Sequence, residues 1–330
     1  MKGTSVPAVN AAAIMLTRQQ ALAGIAAAPL AASLFGTASA QSASDPLVLG
    51  AVSNDSTATM FYAQDLGYYK AAGLNTSVTI MAGSGPMSAA VANGTVPIAG
   101  VPVTLVSVAR DKGLPLVMIA PLSLYVSSVP DHAIIVLKNS PIRKAADLNG
   151  KTIAVRDLGN LSYYGTKVWI DKNGGDSKTI KFVEVVDPQA VAAMQAGRVD
   201  AAAISEPALD PAMKNPDIRQ LGLMLDAIAP RFLVAACVGS ESWVKQHPDI
   251  VHTFADVIAK TSKWANANQS KSAPILEKYA QAPVAPGSLR NVYAERLRAA
   301  DVQPVLDLMF ATGQIKTPQH AADLFAPGVG

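Results

Sequence analysis

The sequence predicts an α/β protein built of two similar, Rossmann-like lobes, and three observations carry that expectation. From Asp45 onward, short β-rich runs alternate with Ala-rich or amphipathic helical stretches, the pattern of βαβ units around parallel sheet. The same succession of strand, helix and strand returns at a constant offset of 103 residues. The chain is 330 residues long with 50% hydrophobic and 15% charged residues, enough apolar material for two cores.

Each element can be justified in order. LVLGAVS (47–53) reads as a strand. Asn54, Asp55, Ser56 and Thr57 follow it, four residues whose side chains can accept from the free N–H groups of a helix start, and they lead into a helix over 58–72 that leaves through Gly73. SVTIMA (77–82) is the second strand, running into Gly83-Ser84-Gly85-Pro86 and a helix that stops at Asn93-Gly94. VPIAGV (96–101) is the third. In the second half KTIAVRD (151–157) stands against 48–54, KFVEVV (181–186) against 78–83, and the helix-stopping Gly197 against Gly94. Few of these residues are identical, so the similarity lies in the order of elements and is not a detectable sequence repeat.

The first forty residues have a different character. Arg18 precedes an apolar run from Ala21 to Phe35 and then Ala38-Ser39-Ala40, the layout of a secretory signal with an A-x-A cleavage site. Met15 is an alternative start that brings the lone Arg18 near the N-terminus, and one arginine argues against twin-arginine export. Removing 1–40 takes away Lys2 and Arg18 and no acids, leaving 25 basic and 24 acidic residues. So small a balance, with no Lys/Arg-dense run, gives no reason to expect nucleic acid or an anionic membrane surface as partner. The single cysteine, Cys237, excludes an internal disulfide and a cysteine metal cluster. No cysteine follows the cleavage site, so no lipid anchor is expected there, and no later apolar run approaches the ~18 residues of a membrane helix.

Four stretches taken together resemble one group of periplasmic solute-binding proteins. They are FYAQDLGYYKAAGL (61–74), SPIRKAADLNGKTIAV (140–155), QAGRVDAA (195–202) and WVKQHPDIVHTFADVIAKTSKWAN (243–266). That group serves ABC importers for sulfonates, taurine, nitrate and the thiamine pyrimidine precursor. The resemblance implies a type II periplasmic binding protein fold, two lobes joined by two crossover strands with a ligand cleft between them. It places the crossovers around 121–131 and 225–231, so that 41–125 and 230–330 form lobe I and 126–229 an inserted lobe II. It further implies a periplasmic monomer that needs no cofactor. The partners would be a small-molecule ligand (a sulfonate, amino-sulfonate, pyrimidine or small organic acid) and the membrane subunits of an importer.

In open α/β sheets, ligands sit beyond the carboxyl ends of the strands. That rule selects Asn54, Ser56 and Thr57 after the first strand, Gly83, Ser84 and Gly85 after the second, and Val103 and Thr104 after the third. From the second half it selects Asn160, Leu161, Ser162 and Tyr163, then Asp187, then Glu206. Small hydroxyl residues and glycines let backbone donors approach a ligand closely. Taken singly, Asn54, Ser56, Asn160 and Ser162 read first as plain helix caps and gain weight as ligand contacts only as a set, and Glu206 in Ser205-Glu206-Pro207 either complements a helix dipole or points its carboxylate into the cleft. Arg156 and Asp157 stand at a strand end, either facing the cleft or paired in solvent. Tyr62, Tyr68 and Tyr69 read as packing, and the four histidines are too far apart in sequence to suggest a metal site.

Three functions compete on these residues: a transport receptor, an enzyme, and a periplasmic sensor for a regulator. The enzymatic precedent in the family, a fungal pyrimidine synthase, depends on a cysteine-rich iron motif that a chain with only Cys237 does not supply. No nucleophile elbow, zinc motif or Walker loop is present, and no catalytic or metal-ligating residue is expected. Receptor and sensor share one fold, which leaves the receptor as the favoured reading and the sensor as its alternative.

Overall fold

The computed structural model describes residues 46–81, 84–280, 284 and 287–329. The export segment expected over 1–40 lies outside the described residues, as does Gly83.

The first stretch of chain lays down β1 (Leu47–Ala51), α1 (Ala58–Asp65), α2 (Tyr68–Ala71), β2 (Thr76–Ile80), α3 (Ser84–Ala92), β3 (Ile98–Pro102), α4 (Val103–Asp111) and β4 (Leu116–Pro121). The single helix expected over 58–72 is two, because Gly67 takes a left-handed φ of 69° that no α-helix accommodates. β5 (Ser123–Val126) then leads to β6 (His132–Leu137), β7 (Thr152–Val155), α5 (Leu161–Lys172), β8 (Lys181–Glu184), α6 (Asp187–Gln195), β9 (Ala201–Ser205), α7 (Leu209–Lys214) and β10 (Ile218–Gly222). The chain returns through β11 (Arg231–Leu233) to β12 (Ala235–Ser240), α8 (Glu241–Gln246), α9 (Pro248–Ala267), α10 (Gln269–Ala280), β13 (Val292–Tyr293) and α11 (Ala299–Ala311).

Two five-stranded sheets result, ordered β2-β1-β3-β12-β4 and β10-β6-β9-β7-β8. Each contains a parallel trio, β2-β1-β3 in one and β8-β7-β9 in the other. Each trio is extended through antiparallel pairings: β12 against β3 and β4 against β12 in the first sheet, β6 against β9 and β10 against β6 in the second. The sheets are therefore mixed and not purely parallel. The sequence offset reappears in the registers. Leu47 pairs with Thr76 and Thr152 with Lys181, positions 29 apart in both cases. Leu49 pairs with Ile98 and Ile153 with Ala201, 49 and 48 apart.

Both faces of each sheet are covered, which explains why the strands read as apolar runs without alternation. Along β9, Ala201 and Ala203 join one core and Ala202 and Ile204 another; along β12, Ala236 and Val238 face one way and Ala235 and Cys237 the other. A third, small sheet, β11-β5-β13, holds the two passages between the large sheets side by side. β5 and β11 pair antiparallel through Tyr125↔Phe232, whose rings stack at 5.0 Å. The Tyr125 hydroxyl donates to Asp226 Oδ1 at 2.6 Å. Among the described residues no helix is long and apolar enough to cross a membrane.

Candidate functional site: a cavity at the strand ends of both sheets

A cavity of about 570 Å³ opens where the carboxyl ends of both parallel trios meet. From the first sheet it receives Ser53 to Ser56 after β1, and Pro102 and Thr104 at the end of β3. The second sheet contributes Arg156, Asp157 and Asn160 to Ser162 after β7, and Ser205, Glu206 and Pro207 after β9. Asp131 and His132, at the start of β6, and Ser288 to Asn291, before β13, complete the polar wall. An apolar wall comes from Leu276, Ala280, Val284 and Leu289.

The β1 loop is built around Asp55. Asn54 is extended, at φ −150°, and its Oδ1 accepts from Thr57 N–H at 3.3 Å, which frees Asp55 to reach the 288–293 segment. Asp55 accepts from Arg290 Nη2 at 2.7 Å, from Asn291 N–H at 2.8 Å and from the Tyr293 hydroxyl at 2.7 Å. Arg290 is 6% exposed, and its Nη2 also donates to the Tyr62 hydroxyl. Burial works against the guanidinium charge, but the Asp55 hydrogen bonds and charge outweigh it and hold Arg290 firmly protonated. Nη1 of Arg290 is buried with no hydrogen-bond partner.

Asn291 carries this network to the second sheet. With its amide oriented to satisfy both ends, Asn291 Oδ1 accepts from Ser56 N–H at 3.1 Å and Nδ2 donates to Asp131 Oδ2 at 3.2 Å. The other Asp131 oxygen lies 2.7 Å from His132 Nδ1. Burial disfavours the His132 cation, but the charge and hydrogen bond of Asp131, with help from Asp187, prevail over it and over Arg156, and raise the imidazole pKa.

Glu206 closes the same wall. Its backbone N–H donates to Asp131 O at 2.9 Å, and its Oε2 accepts from Asp210 N–H at 3.3 Å, while Oε1 is buried without a partner. Burial raises its pKa first of all. The charges of Asp210 and Asp131 add to this, against the Asp210 N–H and His132. The Glu206-Pro207 peptide is cis.

The sequence-selected residues divide into two groups. Asn54, Ser56, Thr104, Asn160, Leu161, Ser162 and Glu206 line the cavity. Thr57, Val103, Tyr163 and Asp187 do not line it but stand behind the wall. The Thr57 hydroxyl is turned inward to Val52 O, and Val103 is fully buried at the start of α4. Tyr163 packs its ring edge-on against Phe182 at 4.9 Å. Asp187, 3% exposed, accepts from Ser205 N–H and Oγ at 3.1 and 2.7 Å and from Arg156 Nη2 at 2.8 Å, so it ties the α6 start to the β9 end. Ser84 and Gly85 are the first residues of α3. Of the two residues left open by the sequence, Arg156 and Asp157, both line the cavity, and Arg156 is at once paired with Asp187.

Sequence reasoning missed Asp131, His132, Arg290 and Asn291 and saw Asp55 only as a cap. Asp131 ends the stretch 121–131 already marked as a passage between lobes and His132 follows it, a usable signal. Arg290 and Asn291 lie more than 230 residues from the Asp55 they bind, and no local pattern announces them.

No curated protein matches the chain. Among solved structures, the periplasmic aliphatic sulphonate binding protein SsuA from Escherichia coli superposes with a TM-score of 0.69 at 18% identity, over 85% of this chain and 91% of that one. The periplasmic nitrate-binding protein NrtA from Synechocystis PCC 6803 gives 0.65 at 15%, over 82% of each chain. A Candida albicans gene product described as exhibiting the generic periplasmic binding protein structural fold gives 0.62 at 15%, over 83% and 92%. These likenesses identify the fold as that of the periplasmic binding proteins. The family model described as NMT1/THI5 like matches residues 54–272, well over half of the sequence, and the chain belongs to that family.

Proposed function

We propose that this protein is the solute-binding receptor of an ABC import system, exported to the periplasm, which captures a small polar organic solute and does no chemistry on it. Lobe I comprises 46–125 with 230–330, and lobe II comprises 126–229. The observation that carries the reading is the cavity itself. Its wall is drawn from strand ends of both sheets, so a ligand within it touches both lobes at once. Sulphonate- and nitrate-binding periplasmic proteins with this fold support the reading by analogy.

A thermal-shift screen of the full chain, stripped of ligand by refolding, tests it. The panel is sulfonates, amino-sulfonates, small aromatic acids, pyrimidines, amines and nitrate. Binding to the folded state alone adds RT ln(1 + [L]/Kd), about 2.7 kcal/mol at a hundredfold excess over Kd. A clear upward shift with one class and no turnover of that compound is the expected result. A flat response across the whole panel overturns the receptor reading.

A further inference from the structure

Resting on the receptor reading and its two lobes, we infer that the hydrogen bond from Tyr164 to Gln314 is an interlobe latch, which stabilises the arrangement in which both lobes wall the cavity and does so without touching a ligand. Tyr164 lies in 126–229 and Gln314 in 230–330, and the Tyr164 hydroxyl donates to Gln314 Oε1 at 2.7 Å. Neither residue lines the cavity.

The place of this bond relative to the passages between the lobes decides what it does. Another side-chain bridge between the same two segments, from Asn291 Nδ2 to Asp131 Oδ2, sits at the passages themselves, because Asn291 directly precedes β13, which pairs with β5. Rotation of the lobes about β5 and β11 changes such a bond little. Tyr164 and Gln314 belong to no strand of that small sheet. Tyr164 stands in the first turn of α5, whose Leu161 and Ser162 line the cavity, and Gln314 follows α11, whose Val305 does. Both ends of the bond are therefore carried by elements that wall the cavity, and opening of the lobes pulls them apart.

Each end is held on a firm base. Tyr164 is 6% exposed, its N–H donates to Asn160 O at 3.2 Å, and its ring packs edge-on against Tyr163 at 5.1 Å. Burial raises the phenol pKa, so the hydroxyl keeps the proton it donates. On the other side, α11 ends in a Schellman pattern: Gly313 is left-handed at φ 70°, its N–H donates to Phe310 O at 3.0 Å, and Gln314 N–H donates to Met309 O at 2.8 Å. Gln314 Nε2 donates to Thr312 O at 3.0 Å, which leaves Oε1 for the phenol. Near its start, α11 is tied to β11 by Asp301, which accepts from Arg231 Nε at 2.9 Å. The latch thus joins Asn160, a residue of the cavity wall, to a helix anchored on one of the two passages. Tyr164 is a positioning residue: the apparent affinity of any ligand that needs both lobes scales with the fraction of molecules in the bridged arrangement.

Pulsed electron–electron spin-resonance distances on the full chain, with no compound added, test this. Spin labels at Lys271→Cys on α10 and Arg198→Cys beyond α6, exposed positions on different lobes, report the lobe separation, while the fully buried Cys237 takes no label. Tyr164→Phe keeps the ring and removes the hydroxyl, and it is expected to lower the ratio of short to long distances about three- to tenfold, the size of one net hydrogen bond. Gln314→Leu should lower the ratio by a like factor, and the double variant no further than either alone, since both remove the same bond. Unchanged distances in either variant, a shift to shorter distances, or additive effects in the double variant overturn the inference and leave the receptor reading standing. A flat thermal-shift screen removes the receptor reading, while the distance shift, which needs no ligand, still decides the latch.

Discussion

Asp55 and Arg290 show how a single pair fixes the cavity wall. A guanidinium only 6% exposed is tolerable because Asp55 takes hydrogen bonds from its Nε and Nη2, and removing one partner of such a pair strands the other. Asp55→Ala should therefore destabilise the protein by about 3 kcal/mol, the lower end for a buried pair because the Asp55 side chain is itself 23% exposed. Urea unfolding measures this, and a loss below about 1 kcal/mol would show that water replaces the carboxylate. His132 gives a pH dependence whose sign follows from its neighbours. Its folded pKa lies above the ordinary 6.5 because Asp131 favours the cation more than burial disfavours it. The stabilisation is then complete below pH 6.5 and is lost as pH rises through the folded value. Asp131→Asn should flatten that decline in urea midpoints measured from pH 5.5 to 9. Glu206 runs in the same direction at lower pH: with a raised folded pKa, its ionisation costs stability as pH climbs above 4.5, which is why Glu206→Gln is not expected to weaken the unliganded fold.

Among the elements, α5 is the one that serves both fold and site. Its cap Asn160, extended at φ −83° and ψ 173°, satisfies Tyr163 N–H while its amide nitrogen reaches Asp157. Asn160→Ala should cost about 0.5–2 kcal/mol in thermal or urea unfolding from the lost cap. The opposite side of α5 rests on β10 through Trp169, and a Cβ added at Gly222 would fall 2.2 Å from Trp169 Cζ2. Gly222→Ala should cost about 1–3 kcal/mol by overpacking, and a neutral result would mean the indole swings clear. Elements of this kind were largely legible in the sequence, because the strands are apolar runs bounded by Asn, Ser and Gly and the helices end at Gly94 and Gly197, both with left-handed φ. What was not legible is nonlocal. Nothing near Gly67 says that a 15-residue periodic stretch will break there. The antiparallel insertion of β12 between β3 and β4 depends on a strand more than 110 residues further along the chain. The site divides along the same line: Asn54, Ser56, Asn160 and Glu206 follow from the strand-end rule, whereas Arg290 and Asn291 reach the cavity from a loop before β13 that carries no motif.

At the scale of the whole molecule, the two passages between the large sheets lie side by side, which sets the motion to expect. β5 and β11 are paired strands, Leu124↔Leu233, Tyr125↔Phe232 and Val126↔Arg231, and Asp226 fastens them by accepting from Tyr125 and Ser127. Two hydrogen-bonded strands resist sliding against each other but bend and twist readily, so relative motion of the lobes should be rotation about this ribbon and not shear. If the receptor reading holds, a ligand between Ser56 on one side and Asn160 and Ser162 on the other should gain contacts as that rotation closes, with the apolar wall of Leu276 and Leu289 removed from water. Small-angle scattering with a ligand taken from the screen should show the radius of gyration falling toward the ~20 Å of a compact chain of this length. Tyr125→Phe separates the ribbon's two roles. The ring keeps its stack on Phe232 while its hydroxyl bond to Asp226 is lost, so unfolding should show a loss of about 1.5–3 kcal/mol while the ligand-induced contraction persists. A contraction abolished in Tyr125→Phe would make the Asp226 clasp part of the switch; no contraction in the native protein would mean that one lobe binds alone.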